Sequence, residues 1–318
     1  MTARLVIDLG GTNLRCALQR PGEDPREQRS VRCADWPGPY EAIAAYLRDC
    51  GEPVRRAAIC VAAPVTGDLV NMTNRGWSFS REELKARLGL DELILVNDFT
   101  AVAMSLPFLP PGSLAPIGGG EAVPGEAIGV LGPGTGLGVS GLVPVGDKFV
   151  ALASEGGHVT LPASDDRETA VISALRRRMD HVSAERLVSG FGMSNLHAAL
   201  LELGGHSADG ALPAEEITAR ARDGDDIARD TLDLFFAFLG TVAGNLALTL
   251  GARGGIYIAG GVAQKLRPEL EASGFRSRFE AKGRYGGYLR RVPTWLVTEP
   301  VPAFRGLAAI LDGRMAED

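Results

Sequence analysis

The sequence predicts a two-lobed α/β protein, on three observations. It has 318 residues, 45% of them hydrophobic, enough to bury more than one core. Short apolar runs of strand length alternate with segments whose apolar residues recur at helical spacing. A stretch holding Pro107, Pro110, Pro111 and Gly112 interrupts this pattern, which then restarts. The break sets one lobe over residues 1–109 and another over 110–299, with a C-terminal helix in 300–318 returning to the first.

Leu5-Val6-Ile7 and Leu14 to Leu18 read as strands joined at Gly10-Gly11, which tolerate the left-handed dihedrals of a tight turn. Tyr40 to Leu47 has helical spacing, and Arg56 to Ala63 reads as a buried strand. Ser80-Arg81-Glu82-Glu83 is a capping box opening a helix that Gly89 closes. Leu93 to Val96 is a buried strand that delivers Asn97-Asp98 at its end. After the linker, strands Ile128 to Leu131 and Leu137 to Val143 flank a second glycine turn, echoing the opening hairpin. Asp165 to Met179 and Ile227 to Leu250 read as helices, Gly255 to Ala259 as a strand, and Gly306 to Leu311 as the returning helix. Arg20 to Trp36 carries no clear signal.

The formal charge of -6, with acids and bases interspersed, argues against nucleic acid or anionic membrane as the main partner. Arg176-Arg177-Arg178, the densest basic run, reads as a solvated helix face. The four cysteines form no C-x-x-C pair, so spacing gives no zinc site, and Cys60 reads as a small buried hydrophobe. No signal peptide is read ahead of the first strand, and charged or glycine residues are expected to interrupt each apolar run short of a membrane span. The Asn71-Met72-Thr73 sequon carries no weight without secretion. A reduced, cytoplasmic protein is expected.

Three glycine-rich turns follow apolar strands: Asp8 to Asn13, Gly132 to Gly138, and Ala259 to Val262. Phosphate needs backbone N–H groups at close approach, which glycine permits. One such turn means little, because hairpins need glycine anyway; three point to phosphate. There is no G-x-x-x-x-G-K-[ST]. Gly136 to Gly141 fits G-x-G-x-x-G but runs into a strand, not the helix a dinucleotide site requires. Protein-kinase motifs are missing. A polar set accompanies the turns: Asn97-Asp98 at a strand tip, Glu155-Gly156-Gly157-His158 in one turn, and Glu185 before Arg186. Such groups suit a polyhydroxylated ligand, since each can donate to or accept from hydroxyls.

Together these motifs resemble the bacterial glucokinase family, within the superfamily of actin, hexokinase and the heat-shock chaperone ATPases. The matching stretches are Asp8 to Asn13, Asn97 to Ala101, Gly134 to Gly138, Ser154 to His158, Glu185-Arg186 with Ser189-Gly190, and Gly244 to Leu248 leading to Ala259-Gly260-Gly261. Thr66-Gly67, Thr73-Asn74 and Trp77 to Phe79 also fit, and the order is kept along nearly the whole chain. The resemblance implies a ribonuclease H-like fold with two lobes around a cleft, the N-terminal one smaller. It implies that Asp8 orients Mg²⁺ and its waters, while Gly10, Gly11, Thr12 and Asn13 contact the phosphates of ATP. It makes Gly134, Thr135 and Gly136 a second phosphate loop, with Gly136 also bordering the sugar, and lays Gly260 and Gly261 against adenosine. Asn97, Glu155, His158 and Glu185 would hold sugar hydroxyls, and Asp98 would be the general base. A homodimer is expected on the same ground.

The implied reaction is ATP-dependent phosphorylation of glucose at the 6-hydroxyl. It needs positioning and charge neutralisation, with little covalent work by the protein. A broader hexokinase acting on fructose or mannose stays open. So does a sugar-sensing protein, although the strand starting at Leu5 leaves no room for a repressor's helix-turn-helix. A heat-shock-type ATPase would not need Glu155, His158 and Glu185 together. The cysteine-rich zinc motif of the related ROK sugar kinases is missing, which favours the zinc-free branch. Gly204 to Ser207 matches no motif of the family.

Overall fold

A computed structural model of the chain describes residues 2–72, 76–207 and 212–316. Thr73 and Asn74, part of the resemblance, lie outside the described residues. Two compact units emerge: residues 1–111, 142–153 and 299–318 form the first, and 112–141 with 154–298 the second.

The first unit is built on a five-stranded sheet. Strands β1 (Ala3–Leu9) and β2 (Asn13–Gln19) form the expected antiparallel hairpin, and β3 (Arg26–Arg32) pairs antiparallel to β2 at the edge. Helix α1 (Pro39–Cys50) leads to β4 (Val54–Val61), which lies parallel to β1. A small hairpin, β5 (Leu69–Asn71) with β6 (Ser78–Ser80), precedes α2 (Arg81–Leu88), capped by Ser80 as its sequence foretells. Then β7 (Glu92–Asn97) pairs parallel to β4 and runs straight into α3 (Asp98–Ser105). Strands β1 and β4 are apolar on both faces because helices cover both. Leu5, Ile7, Ile59 and Val61 join Ile43 and Tyr46 of α1 in one buried cluster. On the other face lies α12 (Pro302–Leu311), packed on α3, β1 and β4. Gly306 makes that contact possible: a Cβ there would stand 1.8 Å from the Ala101 carbonyl oxygen.

The segment Arg20 to Trp36, mute as sequence, holds edge strand β3. Its arginines and glutamates face water, and Glu27 sits at φ 52°, next to a register shift in the pairing. Bulges and charges of this kind blunt an exposed sheet edge.

The second unit starts with β8 (Leu114–Gly118), β9 (Ile128–Pro133) and β10 (Leu137–Val145). Strand β10 turns at Gly146-Asp147 into β11 (Lys148–Leu152), and residues 142–153 of that hairpin belong to the first unit. Helices α4 (Asp166–Arg176), α5 (Gly190–Leu203), α6 (Ala214–Asp223) and α7 (Asp226–Leu250) follow. Strand β12 (Ile256–Ile258) leads to α8 (Gly261–Lys265), α9 (Arg267–Ala272), α10 (Phe275–Glu280) and α11 (Gly286–Leu289), and β13 (Thr294–Val297) closes the sheet. Its order is β11-β10-β9-β12-β13-β8, with β12 parallel to β9 and β13, and β8 antiparallel at one edge.

Helix α7 is the core of this unit, with Phe235, Phe236 and Phe238 buried and the backbone of α10 lying against Gly240 and Gly244. Its 25 residues are long and apolar enough to cross a membrane by length and composition, which corrects the expectation that no run reaches that length. It is instead mostly buried inside the unit, as a core helix is. The arginine run is exposed, as expected, but only Arg176 belongs to helix α4; Arg177 and Arg178 lie past its end and both pair with Glu202 of α5, a shared carboxylate that compensates two adjacent guanidinium charges.

Candidate functional site

In the first unit the predicted site residues gather at the C-terminal ends of the parallel strands, where α/β sheets place their ligands. The hairpin register pairs Asp8 with Arg15, and the parallel register pairs Asp8 with Cys60. The Arg15 guanidinium lies 2.6 Å from Asp8 Oδ2, and the Cys60 thiol donates to Asp8 Oδ1 across 3.7 Å. Asp8 is thus held from both sides, with its side chain 15% exposed. Burial, and then Asp8 and Asp98, push the Cys60 thiol well above the usual range, so it is a neutral donor. The turn is closed by the Gly10 amide donating to the Asn13 carbonyl at 3.0 Å, and the Cys33 amide donates to the Thr12 carbonyl.

Asn97 ends β7 and caps α3. Its Oδ1 accepts from the Phe99 and Thr100 amides at 2.8 and 3.3 Å, while its Nδ2 donates to the Ala63 carbonyl at 3.5 Å. The carboxamide oxygen is therefore committed to the helix, and the N–H side is what Asn97 can offer a ligand. Asp98 is the first residue of α3, and its Oδ1 accepts from the Phe99 amide at 2.8 Å. One strand, β4, separates β1 from β7, so Asp8 and Asp98 stand on strand ends about 10 Å apart.

In the second unit three loops converge on Glu185. Residues 157–161 pair antiparallel with 182–185: the Leu161 amide donates to Val182, Ala184 to Val159, and Glu185 to Gly157. This ladder sets Glu185 beside the turn that carries Glu155 and His158, whose Oε2 and Nε2 lie 3.9 Å apart, both side chains largely exposed. Gly157 is required there, because a Cβ would fall 2.0 Å from the Leu137 carbonyl oxygen. Glu185 Oε2 in turn accepts from the Leu137 amide at 2.9 Å, and a Cβ on Gly136 would lie 2.3 Å from that oxygen. The loop between β9 and β10 is closed by the Gly134 amide on Gly136, and the Gly190 amide donates to Gly134, both at 2.8 Å.

Gly260 follows β12 at φ 94°, where its Cα faces the Pro133 carbonyl; a Cβ would come within 2.5 Å of that oxygen. Beside it, a Cβ on Gly261 would meet nothing within 4 Å, and one on Gly134 only the Gly136 carbonyl at 4.0 Å. Open glycine backbone next to a forced glycine bend fits a phosphate-bearing group that must approach the main chain.

Three residues escaped the sequence reading. Arg15 was legible: a turn between Leu9 and Asn13 places residues summing to 23 opposite each other, which pairs it with Asp8. Cys60 was not, because parallel register between distant strands leaves no mark in a single sequence. The Leu137 amide is backbone and has no sequence signature.

The glucokinase family model matches residues 5–314. The chain belongs to the glucokinase family. It is 48% identical over 311 residues to a glucokinase of Paramagnetospirillum magneticum, covering 96% of this chain and 97% of that one. It is also 48% identical to the bifunctional protein glk of Paraburkholderia xenovorans, but covers only 48% of that longer protein. Among solved structures, the glucokinase from an Antarctic psychrotroph matches with a TM-score of 0.90 and 34% identity over 98% of this chain and 99% of that one. A ROK-family glucokinase from Streptomyces griseus, solved with glucose and AMPPNP, shares the fold at a TM-score of 0.66 and 19% identity, over 97% and 98% of the two chains. The fold shared with these two solved structures is mixed α/β, with helices against the sheets.

Proposed function

We propose that this glucokinase transfers the γ-phosphate of ATP to the 6-hydroxyl of glucose, giving glucose 6-phosphate and ADP, with Asp98 as the general base. The observation that carries the reading is the pairing of Asp8 and Asp98 on the ends of parallel strands about 10 Å apart. That separation leaves room for a phosphoryl group and an attacking hydroxyl between them. The glucose- and AMPPNP-bound relative supports the choice of sugar and nucleotide.

In this reading the chain is a two-lobed ribonuclease H-like kinase, with 1–109 and 300–318 as the smaller lobe and 110–299 as the larger. The turn Gly10, Gly11, Thr12 and Asn13 and the loop Gly134, Thr135 and Gly136 receive the phosphates, the Gly10 and Gly134 amides shaping the two turns by closing them on Asn13 and Gly136, and Gly260 and Gly261 lie under the adenosine. Asp8, already oriented by Arg15 and Cys60, would hold Mg²⁺ through its waters. Bound there, Mg²⁺ neutralises charge building on the transferred group. Asp98 needs only hydrogen-bond reach to the hydroxyl proton, and it stands in the first turn of α3, the end of a helix that favours negative charge. Asn97 through its N–H, with Glu155, His158, Glu185 and the Gly136 backbone, would bind the remaining hydroxyls. The enzyme is read as a cytoplasmic homodimer.

A coupled ADP-release assay across a hexose panel tests the assignment. Glucose is expected to exceed fructose and mannose in kcat/KM by about tenfold or more, because each misplaced hydroxyl leaves a polar group of the site unpaired. Turnover of another hexose at higher kcat/KM than glucose would shift the substrate, and no transfer to any hexose would end the reading.

A further inference from the structure

We propose that Glu185 is a strut between the two ligands: one carboxylate oxygen holds the Gly134 to Gly136 loop and the other takes a sugar hydroxyl, so that glucose alone orders the loop that receives phosphate. The proposal rests on Glu185 being a sugar ligand, and goes beyond that reading by giving it a second task.

The geometry points both ways from one side chain. Oε2 accepts from the Leu137 amide at 2.9 Å, at the residue where the loop becomes β10. Among the described residues no hydrogen bond reaches Oε1. Gly136 packs so closely that a Cβ would lie 2.3 Å from Oε2, so the loop backbone rests directly against the carboxylate. A second rung runs alongside, the Gly190 amide donating to the Gly134 carbonyl at 2.8 Å. Ser189 ties this rung back to Glu185, its hydroxyl donating to the Glu185 carbonyl at 2.8 Å and accepting from the Gly192 amide at 3.0 Å. The Glu185 amide meanwhile donates to Gly157, inside the turn that carries Glu155 and His158. Phosphate loop, sugar turn and the start of α5 therefore share Glu185 as their joint.

A hydrogen bond to a carboxylate is about twice as strong as one between neutral groups, and it weakens when the side chain samples other rotamers. A sugar hydroxyl on Oε1 fixes the rotamer and with it the Leu137 bond. The loop is then ordered before nucleotide arrives, and the nucleotide loses less entropy on binding. Linkage makes the effect reciprocal: nucleotide tightens glucose by the same factor. Glu185 is a positioning residue for the phosphate loop in addition to being a ligand.

Hydrogen exchange read by mass spectrometry on the full chain, with glucose and no nucleotide, tests this directly. Glucose is expected to slow exchange in peptides covering 134–138 by about fivefold or more, the lower range of such couplings, along with those covering 155–158 and 185. Protection of 155–158 and 185 without protection of 134–138 overturns the strut and leaves the sugar site standing. Protection of none of them overturns the sugar-site reading itself. Calorimetry gives an independent arm. The Kd of AMPPNP with Mg²⁺ is expected to fall about fivefold or more at saturating glucose in the wild type, and the ratio to approach one in Glu185→Ala at glucose raised to saturation. A ratio unchanged in Glu185→Ala would also overturn the strut.

Discussion

Cys60 and Asp8 are cross-strand partners in the first unit's sheet, with the thiol donating to the carboxylate across 3.7 Å. Because the thiolate is the reactive form, this neighbourhood protects the sulfur. Burial also pushes the Cys16 thiol upward, with Cys50 adding to the effect. Iodoacetamide at pH 8 is expected to label half-buried Cys50 first, and Cys16 and Cys60 only after denaturant is added. Peptide mass spectrometry over a time course reads this. Labelling of Cys60 in the folded protein as fast as Cys50 would contradict the arrangement.

Asp98→Ala is expected to lower kcat by about 10²- to 10⁴-fold, the range for removing a general base. The fold should survive, since Asn97 Oδ1 still caps α3 through Phe99 and Thr100. A coupled assay alongside circular dichroism separates the two. Near wild-type turnover in a folded variant would remove Asp98 as the base.

The first unit's architecture was largely legible because its signals are local. The Gly10-Gly11 turn, the Ser80 cap and the apolar run ending in Asn97-Asp98 each mark an element by neighbouring residues. Helix α7 was found for the same reason, while the elements that enclose it were not, since enclosure depends on which parts of the chain surround it. Strand β3 was missed because an edge strand facing water lacks the apolar alternation that betrays other strands. At the candidate site, the residue types were readable and their partners were not. Glu185 reads as one more surface acid until the 157–161 ladder sets it against Leu137, and that pairing joins segments with no pattern in common.

Gly306→Ala is expected to destabilise the protein by about 3 kcal/mol, because the added methyl meets the Ala101 carbonyl oxygen at 1.8 Å and neither helix can yield cheaply. Gly274→Ala is the control: its Cβ would meet only Ser277 Oγ at 3.7 Å, and its effect should lie within about 0.5 kcal/mol. Urea denaturation midpoints compare them. Equal midpoints would show that α12 does not pack on α3 so closely.

Glu27→Gly should stabilise the fold by about 0.5–1 kcal/mol. A residue with a Cβ loses about 1–2 kcal/mol in the left-handed region, and glycine regains most of that less its own chain entropy. Asn, which tolerates the same region, should fall between the two. A Glu27→Gly variant that melts below wild type would mean the side chain contributes more than its backbone strain removes.

His197 contributes to the pH dependence of stability. Its ring is buried in the second unit, Nδ1 has no hydrogen-bond partner among the described residues, and burial lowers its pKa, with Asp225 opposing and Arg220 acting the same way as burial. A base whose folded pKa is depressed binds fewer protons in the folded than in the unfolded chain between the two values. Its contribution is therefore present above the unfolded value near 6.5 and lost as pH falls below it. His197→Leu removes the titration while keeping an apolar side chain in place. Urea midpoints at pH 7.5, 6.0 and 5.0 should show the wild type losing more stability than the variant at each step down. The comparison between variants cancels the other histidines and the carboxylates common to both. Parallel pH profiles for the two proteins would show that the His197 ring stays solvated or finds a proton partner in solution.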